Sequence, residues 1–201
     1  MRRPSWIQRI IAILLIGGLY VFMAWTFANG AENTSPLEVV KNTIGALKKA
    51  VGNKAEIRRL ILERVDFYEM GHRSMGRNWK NLSEAQRKEY LEVFEEYAEV
   101  FNRKSVFESI EFINSVNFKY KERLDGDFSE VDVEATLPDG NRVYFLLRLH
   151  VKNNQWKAYD FVIENVSIVG NWRAQFDRII AKEKFPGLLR RLREKIKELD
   201  K

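Results

Sequence analysis

The chain predicts an α+β fold, and two observations carry that reading. Apolar residues recur at helical spacing through Phe101 and again beyond Val169. Between Ser115 and Ile163 they instead alternate with polar ones. The alternating runs are separated by turn signals too short for a crossover, so the strands form an antiparallel meander. Helices segregated before and after four strands mark α+β rather than alternating α/β.

The first thirty residues stand apart. Arg2, Arg3 and Arg9 form a positive start, and Ile10 to Met23 is an unbroken apolar and glycine run. That run is shorter than the roughly 20 residues a spanning helix needs. Small residues at Ala28 and Gly30 offer a cleavage site, so residues 1–30 read as a secretory signal peptide and 31–201 as one domain. An uncleaved inner-membrane anchor is the competing reading, because Tyr20 to Phe27 prolongs the apolar stretch.

The net charge is +6, and half of it lies in the three arginines before Gly30, where there is no acid. The remaining surplus is dispersed among both signs, which argues against a nucleic-acid partner. With no cysteine and only two histidines, thiolate and histidine-rich metal sites are excluded. No metal or cofactor is expected. There is no P-loop, dinucleotide fingerprint, nucleophile elbow or zincin motif.

Each element can be justified in order. Ser35, Pro36 and Glu38 form a capping box at the first helix. Leu37, Val40, Ile44, Leu47 and Val51 then give one apolar face, and Gly52-Asn53 ends it. A second helix carries Ile57, Leu60, Ile61 and Val65. A third begins at Asp66-Phe67 and ends near Gly76. Ser83 with Gln86 caps a fourth, whose stripe holds Tyr90, Leu91, Phe94, Tyr97, Ala98 and Phe101. Val116, Phe118 and Tyr120 alternate in the first strand; Val131, Val133, Ala135 and Leu137 alternate in the second. Asp125-Gly126 is the turn between them. Pro138 to Asn141 turns into the third strand, Arg142 to Lys152, and Asn153-Asn154 into the fourth, Gln155 to Ile163. Two helices close the chain, Val169 to Lys182 and Pro186 to Leu199.

Two stretches carry a family resemblance. Within Trp156 to Phe176, the residues Trp156, Tyr159, Asp160, Glu164, Val166, Ser167, Val169, Asn171, Arg173 and Phe176 fit a strand-to-helix signature. Ala158, Phe161, Asn165, Ile168 and Trp172 depart from it. Earlier, Asp66, Phe67, Met70, Gly76, Trp79, Ser83, Gln86 and Arg87 fit a second pattern in the right order. The chain thus resembles the MlaC family of periplasmic phospholipid carriers, also called toluene-tolerance auxiliary proteins.

The resemblance implies that the helices cup the sheet around an apolar cavity. A diacyl phospholipid would sit there, tails inside and head group exposed. Phe67, Met75, Trp79, Phe94, Tyr97 and Phe101 are the candidate wall from the helices. Phe118, Val133, Phe145, Leu147, Leu149, Tyr159, Phe161 and Val166 are the candidates from the sheet side. Arg73, Arg77 and Arg173 would rim the head group, since guanidinium donors suit phosphate. Asp160 is expected to pair with Arg173. The implied partners are an inner-membrane ABC-transporter complex with a substrate-binding ring and an outer-membrane lipoprotein–porin complex. The carrier is expected to be a periplasmic monomer that maintains outer-membrane lipid asymmetry. Two other classes stand beside it. One is a small isomerase or dehydratase working through Asp66, Asp160 and His72; the other is an adaptor with a filled core and no ligand.

Overall fold

The structure is a computed structural model that describes residues 34–110 and 112–199, with 102–109 described by their backbone alone. The proposed signal segment lies outside the described residues.

Helix α1, Pro36–Lys49, starts where the Ser35 Oγ accepts a hydrogen bond from the Glu38 amide at 3.2 Å. Helix α2, Lys54–Arg64, is capped in the same way by Asn53. Helix α3, Phe67–Met75, follows after a single corner at Val65–Asp66, and Asp66 caps it through the Glu69 amide. A 3-10 turn, Gly76–Asn81, leads to α4, Glu84–Ile110. Ser83 and Gln86 bond each other's backbone amides there, the reciprocal box that the spacing predicts.

The sheet runs β1 (Asn117–Asp125), β2 (Phe128–Thr136), β3 (Arg142–Lys152), β4 (Gln155–Ile163) and β5 (Val166–Ser167), each antiparallel to its neighbour in sequence order. Asn153 and Asn154 both take positive φ, as a two-residue hairpin turn demands. The expected count of four strands is corrected to five. Glu164 and Asn165 also sit at positive φ and reverse the chain at once, so Val166–Ser167 folds back onto Val162–Ile163. A strand of two residues is below what alternation can reveal.

The last element, α5, spans Ile168–Leu199 and is broken at Lys184, where φ is 62° and ψ −177°. The break falls two residues before Pro186, which has no amide hydrogen to continue the ladder. The two predicted helices are the segments on either side.

The core divides in two. Tyr120, Val133 and Phe145 pair in register across β1 to β3, so one apolar face is continuous, and α1 and α2 lie over it. The second half is helical: α4 packs on α5, and α3 packs on both.

Candidate functional site

An apolar groove lies between α1, α2 and that sheet face. From α1 it is lined by Val39, Val40, Thr43, Ile44 and Leu47. The end of α2 adds Ile61, Arg64 and Val65. Phe112, Ile113 and Val116 close one side, and the sheet supplies the floor. The space between atoms is about 1060 Å³ with its open mouth included. Thr43 is spent within its own helix, its hydroxyl donating to the Val39 carbonyl at 2.7 Å. The wall thus offers a water few hydrogen-bond partners.

Six of the sequence-derived wall residues line this groove: Phe118, Val133, Phe145, Leu147, Leu149 and Phe161. They share one face because strand side chains alternate. The structure places the others elsewhere. Phe94 and Tyr97 turn toward α5, with ring centroids 5.2 and 6.0 Å from Trp172, and Phe101 stands 6.3 Å from the same ring. Phe67 and Met75 are buried in the core away from the groove. Trp79 packs against His72 on one side and the Arg87 guanidinium on the other. Tyr159 lies under the Arg73 guanidinium, 4.2 Å away, and beside His150. Val166 is 54% exposed on β5.

The three candidate rim arginines do not line the groove either. Arg73 donates to Glu69 at 2.7 Å, and Arg173 donates to the Arg73 carbonyl at 2.8 Å. Arg77 belongs to the 3-10 turn. The expected Asp160–Arg173 pair is corrected to Asp160–Arg148 at 3.0 Å. Arg148 stands directly opposite Asp160 in the β3–β4 register, so it reaches the carboxylate first. Asp160 also accepts from the Ser167 hydroxyl and the Val169 amide, which fixes the start of α5.

Asp66 anchors the corner between α2 and α3. Its carboxylate meets His150 at 3.0 Å and Lys152 at 2.8 Å, and its amide donates to the Ala158 carbonyl. Burial alone would raise this carboxyl. The Lys152 ammonium, the Glu69 amide and His150 more than offset that, so its pKa falls below the ordinary carboxylate value. The three residues proposed as an acid–base set do not converge. Asp66 and Asp160 belong to separate ion clusters, and His72 stands against Glu69 and Trp79.

Among the described residues that line the groove, Arg64 is the one that carries a charge. Sequence reasoning missed it, although a signal was there. Ile57, Ile61 and Arg64 fall at four and three spacing, so the arginine continues the apolar face of α2.

An α+β protein with an apolar groove between a helical pair and an antiparallel sheet is thus defined. A sequence model of the MlaC protein family matches residues 35–194, and the chain belongs to that family. Its fold is similar to that of a phospholipid-binding protein from Ralstonia solanacearum, solved in complex with a phospholipid. The TM-score is 0.68 at 22% identity, covering 81% of this chain and 97% of that one.

Proposed function

We propose that this protein is a periplasmic carrier of diacyl phospholipids that takes lipid from one membrane complex and delivers it to another. The observation that carries the reading is the groove wall, aliphatic and aromatic along the sheet and α1 with its one hydroxyl already bonded. Family membership and the lipid-bound relative of the same fold support it.

The energetics suit a carrier. Each buried CH₂ is worth about 0.8 kcal/mol against water, but the bilayer is just as apolar. The groove need only match the membrane while shielding the tails, and docking to a partner complex then tips loading or release. Because α1 forms the roof of the groove, loading would be easiest if α1 parts from the sheet. Its ties there are side-chain contacts: the Leu37 amide to Glu122 at 2.8 Å, and Lys48 to the Val116 carbonyl at 3.0 Å. These polar contacts are replaceable by water, while the buried Val40 and Leu47 would need acyl chains in place of the sheet to stay covered. An enzyme would need an acid or base facing its substrate, and the lining includes no carboxylate or histidine.

The test is mass spectrometry of lipid released from the full-length protein after production in bacterial cells. Near-stoichiometric phospholipid is the expected result. Recovery of none, together with failure to take lipid from vesicles, would overturn the reading.

A further inference from the structure

The groove is chemically polarised along its length. At one end Val65, Leu149 and Ala158 come together, since Val65 bridges Ala158 and Ala158 pairs with Leu149. Arg64 stands there. At the other end Val116, Phe118 and Leu137 are apolar. A cation at one end of an otherwise apolar slot needs a reason. Its side chain is 36% exposed, and its ion partner is the adjacent Glu63 at 3.3 Å, itself 42% exposed. A contact of that kind contributes little to stability.

The nearby acids are committed elsewhere. Glu63 also binds Arg59 at 2.9 Å, and both oxygens of Asp66 are taken by Lys152 and His150. Lys157 adds a further cation, its ammonium donating to the Glu63 carbonyl at 2.5 Å. Burial first, with the charges of Arg64 and Lys152 also contributing, pushes that ammonium below its ordinary pKa. Arg64 lines the groove while its guanidinium stays part-exposed beside Glu63, so an anion arriving at this end would find a guanidinium held by one weak surface contact and the Lys157 ammonium close by.

We propose that Arg64 is the phosphate-binding residue of the groove, holding the anionic phosphodiester of a bound lipid at the β3–β4 end while the acyl chains run toward Phe118 and Leu137. The inference rests on the lipid-carrier reading and goes beyond it, by naming the group that separates a phospholipid from an uncharged lipid with the same tails. A planar guanidinium offers two parallel donors to phosphate oxygens, so it gives orientation as well as attraction.

The experiment offers the full-length protein vesicles containing phosphatidylglycerol and dioleoylglycerol with matched acyl chains, and counts each bound lipid by mass spectrometry. The unaltered protein takes phosphatidylglycerol in preference. Arg64→Gln reduces that preference about tenfold, equivalent to about 1.4 kcal/mol. Arg64→Lys keeps part of it, as a point charge without the fork. Arg64→Met, which retains the stem and completes the apolar wall, repeats the loss in a second background; melting curves confirm that each variant is folded. A folded Arg64→Gln or Arg64→Met protein with undiminished preference overturns the proposal. So does a thermal shift by inorganic phosphate that depends on Arg64 while lipid preference does not, because the residue then reads free phosphate. An unaltered protein that takes both lipids equally removes the role of Arg64 but leaves the carrier intact. One that takes neither removes the carrier reading itself.

Discussion

Between α3, α4 and α5, aromatic rings fill the space; between α1, α2 and the sheet, mostly aliphatic side chains leave it open. In the helical region Phe94 meets Trp172 and Phe176 nearly edge to face, and Tyr90 lies tilted beside it. Gly71 lets α3 press close, since a Cβ there would stand 2.9 Å from the Phe94 ring and 3.0 Å from Leu91. The Tyr90 hydroxyl is satisfied by Ser74 and the Gly71 carbonyl, and burial pushes its pKa up. The groove has no such closing device. Its floor sets short side chains, Val133, Ala135 and Ala158, among larger ones such as Phe145 and Phe161, and its roof, α1, is tied at the edges by polar contacts. Rings that meet other rings therefore mark the filled part of this molecule, while groove rings such as Phe145 and Phe161 stand among aliphatic side chains around open space.

The largest expected effect lies in the filled region. Phe94→Ala should cost about 4 kcal/mol, measured by denaturant unfolding, because its neighbours cannot collapse into the space. The fraction that remains folded should keep its lipid. Loss of lipid from a fully folded Phe94→Ala protein would erase the distinction between the two regions.

Next comes the corner that joins them. Asp66→Ala should cost about 3 kcal/mol at neutral pH, since it leaves His150 and Lys152 without their carboxylate. The pH dependence has a definite sign. The folded pKa of Asp66 is depressed, so its contribution is full above the ordinary carboxylate value of about 3.9 and is lost as pH falls through the lower folded value. Stability measured from neutral pH down to the acid limit should therefore show the gap between the native protein and Asp66→Asn narrowing below about pH 4. A gap that stays constant would mean the ion cluster contributes nothing.

A smaller effect probes how tightly the filled region is packed. Gly71→Ala adds one methyl where no room exists and should cost about 2 kcal/mol, even though alanine favours the helix. A stabilised variant would show that Phe94 can shift and that the region is looser than its ring contacts suggest.

Much of the fold was legible because each element carries local chemistry that agrees with it. The Ser35 and Ser83 caps, the Asn153-Asn154 turn and the alternation of β2 and β3 all specify the element they belong to. The site was half legible. Alternation put Val133, Phe145, Leu147 and Leu149 on one face, and that face is the groove floor. The helical candidates lie outside this groove, and a stripe such as Phe94, Tyr97 and Phe101 says only that something covers it. Whether that partner is a sheet, a ligand or the Trp172 ring of α5 depends on contacts far apart in sequence. The same distance hid the partners of Asp160 and Arg173, which register and helix packing decide.

The smallest expected change in stability is also the sharpest test of the hollow region. Ala135 is buried on the groove floor, paired with Phe118 in β1 and Val143 in β3. In a filled core, enlarging such a residue costs about 1–3 kcal/mol through strain. Here the added atoms of Ala135→Leu project into space that no side chain occupies. Stability should change by less than about 1 kcal/mol, since new apolar burial offsets any local adjustment. The lipid load should nevertheless fall steeply, because the leucine occupies volume that acyl chains need. Thermal melting alongside lipid extraction separates the two effects. A variant destabilised as strongly as Gly71→Ala would show that the groove closes tightly in the free protein. One that is stable and normally loaded would place the acyl chains away from β2.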